Sequence, residues 1–417
     1  MNRKSFFAAA ILSAIACAAA EPSATGVTAR QNWPWNGNVD ILYTLSSDTP
    51  CDVDVKATWN GQSEPVSLTR VSGDLFNVES GDRRIVWDPV AEGVSLPLTG
   101  FKATVEPVSA DSKKYLLLNL FDGSVSYSAT EPDWKSEPMA YLATNIVFRR
   151  IGATTFNFGY PQPQVIAGFI NNRSLARKAT LSSDYYIAIF PLTTAQGYMI
   201  TKKTVEEEDC TTPYSVAYST LRGSKAGDGV CWPETFHKVA EESLLDKIRK
   251  MPGLSLPAGW VVDLPTAAQW ENAARAGTDA QDRLCWVEGS EFGVSFSDMT
   301  NIVKNAGQWV PGATLTAKIG TLPANPWGLY DTIGCVYEYV LDWRMPKGPC
   351  LTTDVTDPTG IATGENTQDR QVRGGRGNGS CPLEACLPGN SSYGFSEDTA
   401  RSARLCIHLK PVTELAE

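Results

Sequence analysis

The spacing of apolar and polar positions divides the chain into a strand-like first part and a long remainder with few regular elements. Between Val27 and Pro107, apolar and polar residues alternate over short segments that Gly and Asp turns separate. The clearest run contains Val39, Ile41, Tyr43 and Leu45. Three tryptophans are available for a core: Trp33, Trp35 and Trp87. A period of two is typical of half-buried strands, so we predict a small all-β, immunoglobulin-like sandwich over residues 24–108.

Helical periodicity is confined to two segments of the later part. Apolar residues recur at helical spacing from Phe236 to Met251. A second helix is predicted after Leu264, where Thr266 and Gln269 form a capping-box pattern and Gly277 follows as a C-cap. Long stretches rich in Gly, Pro, Asn and Trp separate these helices. The pattern predicts a loop-rich α+β domain over residues 145–412, joined to the sandwich by a linker with short strands over residues 109–144.

The first twenty residues have the order of a signal peptide. Arg3 and Lys4 precede an apolar run, and small residues follow it up to Ala20. We therefore expect an exported chain (periplasmic, extracellular or on the outer surface), cleaved after Ala20 or lipid-anchored at Cys17. No later stretch reaches the ~20 apolar residues of a spanning helix, so no transmembrane helix is predicted.

Charge and residue counts exclude several classes of function. The formal net charge is −10 and the pI is near 5.0, which opposes binding to the phosphates of nucleic acid. No P-loop, dinucleotide-binding glycine pattern or nucleophile elbow occurs. The two histidines, His237 and His408, are too few for a three-histidine metal site. We expect His237 to face solvent on a helix and His408 to be structural.

Five segments together resemble the formylglycine-generating (sulfatase-modifying factor) family, in particular an exported bacterial subgroup with an N-terminal β-sandwich. The segments, in chain order, are Ile146 to Gly159, Tyr185 to Phe190, Leu264 to Gly277, Asn325 to Trp343 and Val372 to Gly375. The resemblance implies a C-type-lectin-like domain of the formylglycine-generating-enzyme type, with little regular secondary structure and bound calcium. It also places Trp270 and Glu338 close together inside the domain.

The resemblance also implies a calcium site. The side chains of Asp331 and Glu338 and the backbone oxygens of Gly334 and Val336 match the family's ligand positions. Calcium takes six to eight oxygen ligands, which loops can supply as carboxylates and carbonyls. The alternative is that Glu338 and Asp342 accept buried hydrogen bonds from the backbone.

A cysteine pair carries the catalytic expectation. Enzymes of this family bind copper(I) through two cysteines five positions apart and use oxygen to convert a sulfatase cysteine to formylglycine. Cys381 and Cys386 have that separation, and thiolates are the ligands that copper(I) prefers. Three features of this segment depart from the enzymes: the distance from the Gly374-Gly375 pair, Arg376 after that pair, and the residues between the cysteines.

The alternative for Cys381 and Cys386 is structural. Apart from Cys17, nine cysteines remain, and most should pair in an oxidising compartment. Cys381 and Cys386 would then form disulfides with partners such as Cys350, Cys406 or Cys335. Two hypotheses follow: a divergent formylglycine-generating oxidase acting on a sulfatase polypeptide, or a non-catalytic lectin-like module that presents loops to a glycan or protein ligand.

Overall fold

The chain divides into two compact units, residues 1–110 and residues 111–417. The structure is a computed structural model, and it describes residues 21–159, 177–223, 239–277, 318–320, 324–332, 335–343, 353–359, 370–374 and 401–409. In that part of the chain, no helix combines the length and apolar character needed to cross a bilayer.

The described part of the first unit consists of two antiparallel sheets. Its strands are β1 (Ser23–Gln31), β2 (Val39–Ser46), β3 (Asp52–Thr58), β4 (Val66–Ser67), β5 (Val71–Gly73), β6 (Gly81–Trp87) and β7 (Lys102–Val108). One sheet has the order β1-β2-β6-β5 and the other β4-β3-β7. The inner faces of both sheets contribute to one apolar core. The strands agree with the prediction, whereas the narrower immunoglobulin-like assignment stays a prediction.

The alternating positions of β2 face the core as predicted. Val39, Ile41, Tyr43 and Leu45 are all buried, and the residues between them are more exposed. Of the three tryptophans predicted for the core, only Trp87 is buried. Trp33 and Trp35 are 49% and 84% exposed, so the prediction was wrong for both. Both lie in the turn between β1 and β2 rather than on an inward strand position, and Trp59 packs against Trp87 instead.

The described part of the second unit is α+β and mostly sheet. Its strands are β8 (Tyr115–Asn119), β9 (Val125–Ser128), β10 (Asn145–Ile151), β11 (Thr154–Phe158), β12 (Arg177–Leu181), β13 (Tyr185–Ala188), β14 (Trp260–Asp263), β15 (Tyr337–Trp343), β16 (Val355–Thr356), β17 (Arg370–Arg373), β18 (Arg401–Ala403) and β19 (Cys406–Leu409). Its α-helices are α1 (Thr194–Thr201), α2 (Tyr218–Leu221), α3 (Leu244–Arg249) and α4 (Ala267–Arg275).

A six-stranded antiparallel sheet organises this unit, in the order β14-β19-β13-β10-β8-β9. All four residues of the inner strand β13 are buried, because both of its faces are covered. Residues 109–144, predicted as a linker with short strands, supply β8 and β9 to this sheet. The segment therefore belongs to the second unit.

Two smaller sheets complete the described part of the unit. One has the order β11-β12-β16, and the other has the order β17-β15-β18. In the second, β15 lies in the middle, antiparallel to β17 and parallel to β18. This arrangement brings three distant parts of the sequence together around the side chains of β15.

The two predicted helices differ in how well their limits were foreseen. Helix α4 begins after the N-cap Thr266, and the reciprocal capping box with Gln269 is present. Helix α3 covers only the later part of the helix that was predicted from Phe236 to Met251. Phe236 lies outside the described residues. Glu242 has a positive φ of 64°, which a helix does not accommodate, and the Ser243 side chain caps the new start.

Neighbouring residues of β2 allow a test of the first unit's inward and outward faces. Ile41→Ala should lower the free energy of unfolding by about 2–5 kcal/mol, because it removes a fully buried side chain. Leu42→Ala, at the next position and 49% exposed, should change it by no more than about 0.5 kcal/mol. Urea unfolding followed by circular dichroism measures both variants. Equal destabilisation would contradict the strand's orientation.

Candidate functional site

A buried carboxylate on the central strand β15 is held from two directions. Glu338 forms a two-pronged ion pair with Arg404: Nη2 lies 2.8 Å from Oε1, and Nε lies 3.0 Å from Oε2. The indole Nε1 of Trp270 donates to Oε2 at 2.6 Å. All three side chains are buried. The family resemblance predicted that Trp270 and Glu338 lie together, and this contact is present.

Arg404 extends this contact to the surrounding backbone. Its Nη1 donates to the carbonyl of Ala188 at 2.9 Å, and its Nη2 donates to the carbonyl of Tyr330 at 2.7 Å. The planar guanidinium therefore joins β13, the turn at Tyr330 and β15. Because both charges are fully buried, each depends on the other for its compensation.

Helix α4 places Trp270 against this ion pair. The Thr266 side chain accepts a hydrogen bond from the Gln269 N–H, and the Gln269 side chain accepts one from the Thr266 N–H. Asp342 of β15 accepts from the Ala267 N–H at 2.6 Å, which puts a carboxylate at the positive end of the helix. Asp342 thus accepts a buried hydrogen bond from the backbone, as the alternative to a calcium site predicted. Glu338 differs, because its partners here are side chains.

A second buried charge cluster joins α4 to β17. Glu271 pairs with Arg275 at 2.7 Å and accepts from the Gly159 N–H at 3.0 Å. Arg373 lies 3.5 Å from the other oxygen of Glu271. Burial lowers the pKa of the Arg373 guanidinium, while Glu271 opposes that effect. The cluster fixes the end of β17, from which the chain continues toward the cysteine pair.

Gly374 follows β17 in a backbone conformation that favours glycine. Its φ is +83°, in the left-handed region. A Cβ there would lie 3.4 Å from the Val336 carbonyl oxygen, and 3.5 Å from both the Thr332 carbonyl oxygen and the Trp270 ring. The turn thus packs directly on the loop and the tryptophan of the first cluster.

In the structure, protein groups engage both carboxylates of the predicted calcium site. Both oxygens of Glu338 are engaged by Arg404 and Trp270, so a dication would have to displace a buried guanidinium. Asp331 accepts from the Gly320 N–H at 2.7 Å, and burial raises its pKa to about 6. Gly334 lies outside the described residues. Where the structure describes the chain, no group of three or more His, Cys, Asp or Glu side chains is placed to hold a metal ion, and the calcium site stays a prediction.

Cys381 and Cys386 lie outside the described residues. Other cysteines of the chain are described. Cys51, Cys210 and Cys406 are buried free thiols. Cys406 was one of the partners expected for a disulfide staple, and that expectation was wrong. It lies on β19 in the core, where a cysteine packs as a small apolar side chain and burial raises its pKa well above the usual value.

A further buried cluster contains residues to which the sequence analysis gave no role. Arg222 and Arg249 both pair with Asp263, at 2.9 and 2.8 Å. Burial opposes ionisation of Asp263, but Arg222 and then Arg249 hold its pKa below the usual value. His408 is buried nearby, with Nδ1 3.0 Å from Gln269 Oε1, and burial lowers its pKa to about 4. His408 is thus neutral at pH 7, as a structural histidine.

Arg404, too, was given no role, although a signal existed. It stands in the stretch from Ala403 to Ile407, where every other residue is apolar. A single arginine within such a run indicates a buried cation that needs a carboxylate partner. The sequence alone could not tell which carboxylate, since Glu338 lies far away along the chain.

These elements define an α+β domain, mostly sheet, in which buried ion pairs hold loops together. The profile of the Sulfatase-modifying factor enzyme 1-like domain matches residues 167–399. The chain belongs to this family.

Relatives named as enzymes match over shorter stretches. The chain is 36% identical over 109 residues to a formylglycine-generating enzyme of Thermomonospora curvata, covering 24% of this chain and 34% of the relative. It is 33% identical over 108 residues to the formylglycine-generating enzyme of Mus musculus, covering 22% and 27%. A serine/threonine-protein kinase, pkn1 of Chlamydia pneumoniae, matches at 36% over 92 residues, covering 22% and 12%. The chain therefore spans about a third or less of the length of these relatives.

Two solved structures resemble this one. Treponema denticola variable protein 1 has a TM-score of 0.41 at 18% identity, covering 64% of this chain and 96% of that chain. PvdO from Pseudomonas aeruginosa has a TM-score of 0.39 at 16% identity, covering 63% and 95%. We infer no function from either.

Removing one partner of the Glu338 ion pair should destabilise the second unit strongly. Arg404→Met should lower its free energy of unfolding by about 3–5 kcal/mol, since it leaves a buried carboxylate without a cation. The double variant Glu338→Met/Arg404→Met should be less destabilised than the sum of the two single variants. Lys56→Met, which breaks an exposed ion pair with Glu106, should leave the midpoint nearly unchanged. Additive effects in urea unfolding would contradict the pairing.

The raised pKa of Asp331 predicts a pH dependence. Its pKa is about 6 in the folded state against 3.8 for the free side chain, so the folded state binds more protons between these values. The stabilisation from the protonated carboxyl is complete below pH 3.8 and is lost as the pH rises through about 6. Asp331→Asn should therefore gain stability relative to the unmodified protein over that range. Asparagine tolerates the positive φ of 54° and keeps an acceptor for Gly320.

Thermal unfolding of Asp331→Asn and the unmodified protein, from pH 4 to pH 7 in the presence of a calcium chelator, measures this difference. His408 also titrates in this range, but it is common to both proteins and cancels in the comparison. A stability difference that stays constant with pH would contradict the raised pKa.

Proposed function

We propose that this chain is an exported oxidase of the formylglycine-generating type, which converts a cysteine of a sulfatase polypeptide to formylglycine. Family membership and the relatives named as formylglycine-generating enzymes support this class of reaction. The signal-like first twenty residues support export.

The observation that carries the proposal is the cysteine pair. Cys381 and Cys386 are five positions apart and lie within the stretch that matches the family, residues 167–399. They follow the Gly374 turn, which packs against Trp270 and the loop of Thr332 and Val336. Cys406 is buried as a free thiol.

The donor set suits copper(I). Two thiolates form a soft ligand pair, which selects copper(I) over calcium or magnesium. Cys381 and Cys386 would hold the ion, and the ion would supply the reactivity toward oxygen.

The role of the described residues is to position this pair. The ion pair between Glu338 and Arg404 holds the loop of Thr332 and Val336, which contacts Gly374. The Glu271 cluster holds the end of β17. Both clusters are buried, so in this proposal they act through the backbone of β15 and β17 and do not contact a substrate.

Oxidation of a sulfatase-derived peptide tests the proposal. The peptide cysteine loses two electrons and its sulfur leaves as hydrogen sulfide, while O₂ accepts four electrons. The assay therefore contains copper and a thiol reductant, and the net products are the aldehyde, hydrogen sulfide, water and the disulfide of the reductant. Mass spectrometry of the peptide should show the aldehyde. Cys381→Ser and Cys386→Ser should each abolish it, because each removes a soft ligand.

Cys51→Ala is the matched control, since it removes a buried thiol from the first unit and should leave turnover unchanged. Turnover that survives in Cys381→Ser and Cys386→Ser would contradict the proposal. So would a folded, copper-loaded protein that forms no aldehyde, and that result would favour the alternative of a non-catalytic lectin-like module whose loops bind a glycan or protein ligand.

A further inference from the structure

The side chains of two tryptophans of the first unit are exposed to solvent. Trp33 and Trp35 are 49% and 84% exposed, and both lie in residues 31–38, which we call the tryptophan turn. Among the described residues, neither indole has a hydrogen-bond partner or an aromatic ring partner. Large aromatic side chains are mostly buried in folded proteins, and a pair of them exposed on one turn indicates a binding surface.

The backbone of the tryptophan turn is tightly hydrogen-bonded. The Asn32 N–H donates to the Asn38 carbonyl at 2.9 Å, and the Trp35 N–H donates to the Asn32 carbonyl at 2.9 Å. The Asn38 N–H donates to the Asn36 side chain at 2.9 Å. Two hydrogen bonds, at 2.8 and 2.9 Å, join the Gln31 amide to the backbone of Leu98. The backbone that carries the two rings is thus ordered before a ligand binds. Less conformational entropy is therefore lost on binding.

The polar groups of the tryptophan turn are carboxamides, and residues 31–38 carry no charge. Asn32 donates to Asp40 at 3.2 Å. Asp40 pairs with Arg84 at 2.7 Å and is attracted by Arg30, the residue before the turn. Carboxamides donate and accept hydrogen bonds, as sugar hydroxyls do. The surface therefore combines flat aromatic faces with neutral polar groups.

Its size and charge distinguish among possible ligands. The exposed Val90 lies beside Gly37 of the turn. A tryptophan side chain supplies at most ~250 Å², so the two rings with Val90 fall short of the ~800 Å² that each partner buries in a standard protein interface. Residues 31–38 contain no Lys or Arg, so the turn itself carries no cation to bind anionic lipid head groups. A ligand with ring-sized apolar faces and neutral hydroxyl groups matches both properties.

We propose that the tryptophan turn is a binding site for a neutral glycan, with Trp33 and Trp35 stacking on pyranose rings. This site lies in the first unit and does not depend on oxidase activity in the second. It would attach the protein to neutral polysaccharide.

Affinity electrophoresis of the full chain tests the site. Native gels containing mannan, laminarin, xyloglucan or galactomannan provide the probes. At least one of them should retard the unmodified protein. Trp33→Ala and Trp35→Ala should each weaken binding about tenfold, and the double variant should show no retardation. The corresponding Phe variants should retain part of the retardation, because phenylalanine keeps a stacking face.

Phe121→Ala is the matched control: it removes an 83% exposed aromatic ring from the second unit and should bind as the unmodified protein does. Unchanged circular dichroism of the Trp33 and Trp35 variants should accompany their loss of binding, since both rings are exposed.

Three results would overturn the proposal. They are no retardation of the unmodified protein by any of the four polysaccharides, retardation that persists in the double variant, and tryptophan-dependent binding to phosphatidylglycerol vesicles instead. Retardation that persists in the double variant would place a glycan site elsewhere in the chain.

Discussion

The ion pair between Glu338 and Arg404 is the interaction on which the described part of the second unit depends. Arg404 follows β18 and binds the carbonyls of Ala188 and Tyr330, while Glu338 lies on β15 and accepts from Trp270 of α4. One buried guanidinium thereby joins a strand of the six-stranded sheet, the turn at Tyr330 and the central strand β15. Because an isolated buried charge is so unfavourable, separating these segments would leave one of the two charges without compensation. The irregular domain is held in one arrangement for this reason.

Elements with a local signal could be predicted from the sequence. The strand β2 follows from its period of two, and the start of α4 follows from Thr266 and Gln269, whose side chains are close in the chain. The six-stranded sheet was less predictable, because β19 pairs with β13 and β14 across long stretches of sequence. Helical periodicity overestimated α3, since apolar spacing does not reveal the positive φ of Glu242.

In the candidate site, too, some contacts could be predicted from the sequence and others could not. The proximity of Trp270 and Glu338 was predicted from the family resemblance, whereas the partner of Glu338 was not. Charge pairing between distant residues leaves no periodic pattern, so Arg404, Arg373 and Arg222 were given no role. Exposure of Trp33 and Trp35 was missed for a related reason: hydrophobicity predicts burial only when the backbone directs a side chain inward, and a turn between strands does not.

The cysteines connect the scaffold to the proposed chemistry. Three thiols, Cys51, Cys210 and Cys406, are buried among apolar side chains, and burial raises their pKa values. High pKa values and lack of access make these thiols poor metal ligands. The proposed function therefore assigns the reactive pair to Cys381 and Cys386, which have the spacing for it.

Alkylation of the native protein without reductant, after copper has been removed with a chelator, tests this account most directly. Peptide mass spectrometry then shows whether each cysteine is alkylated or in a disulfide. The account predicts that Cys381 and Cys386 are alkylated in the native state, while Cys51, Cys210 and Cys406 are alkylated only after unfolding. Disulfides joining Cys381 and Cys386 to other cysteines of the chain would contradict it.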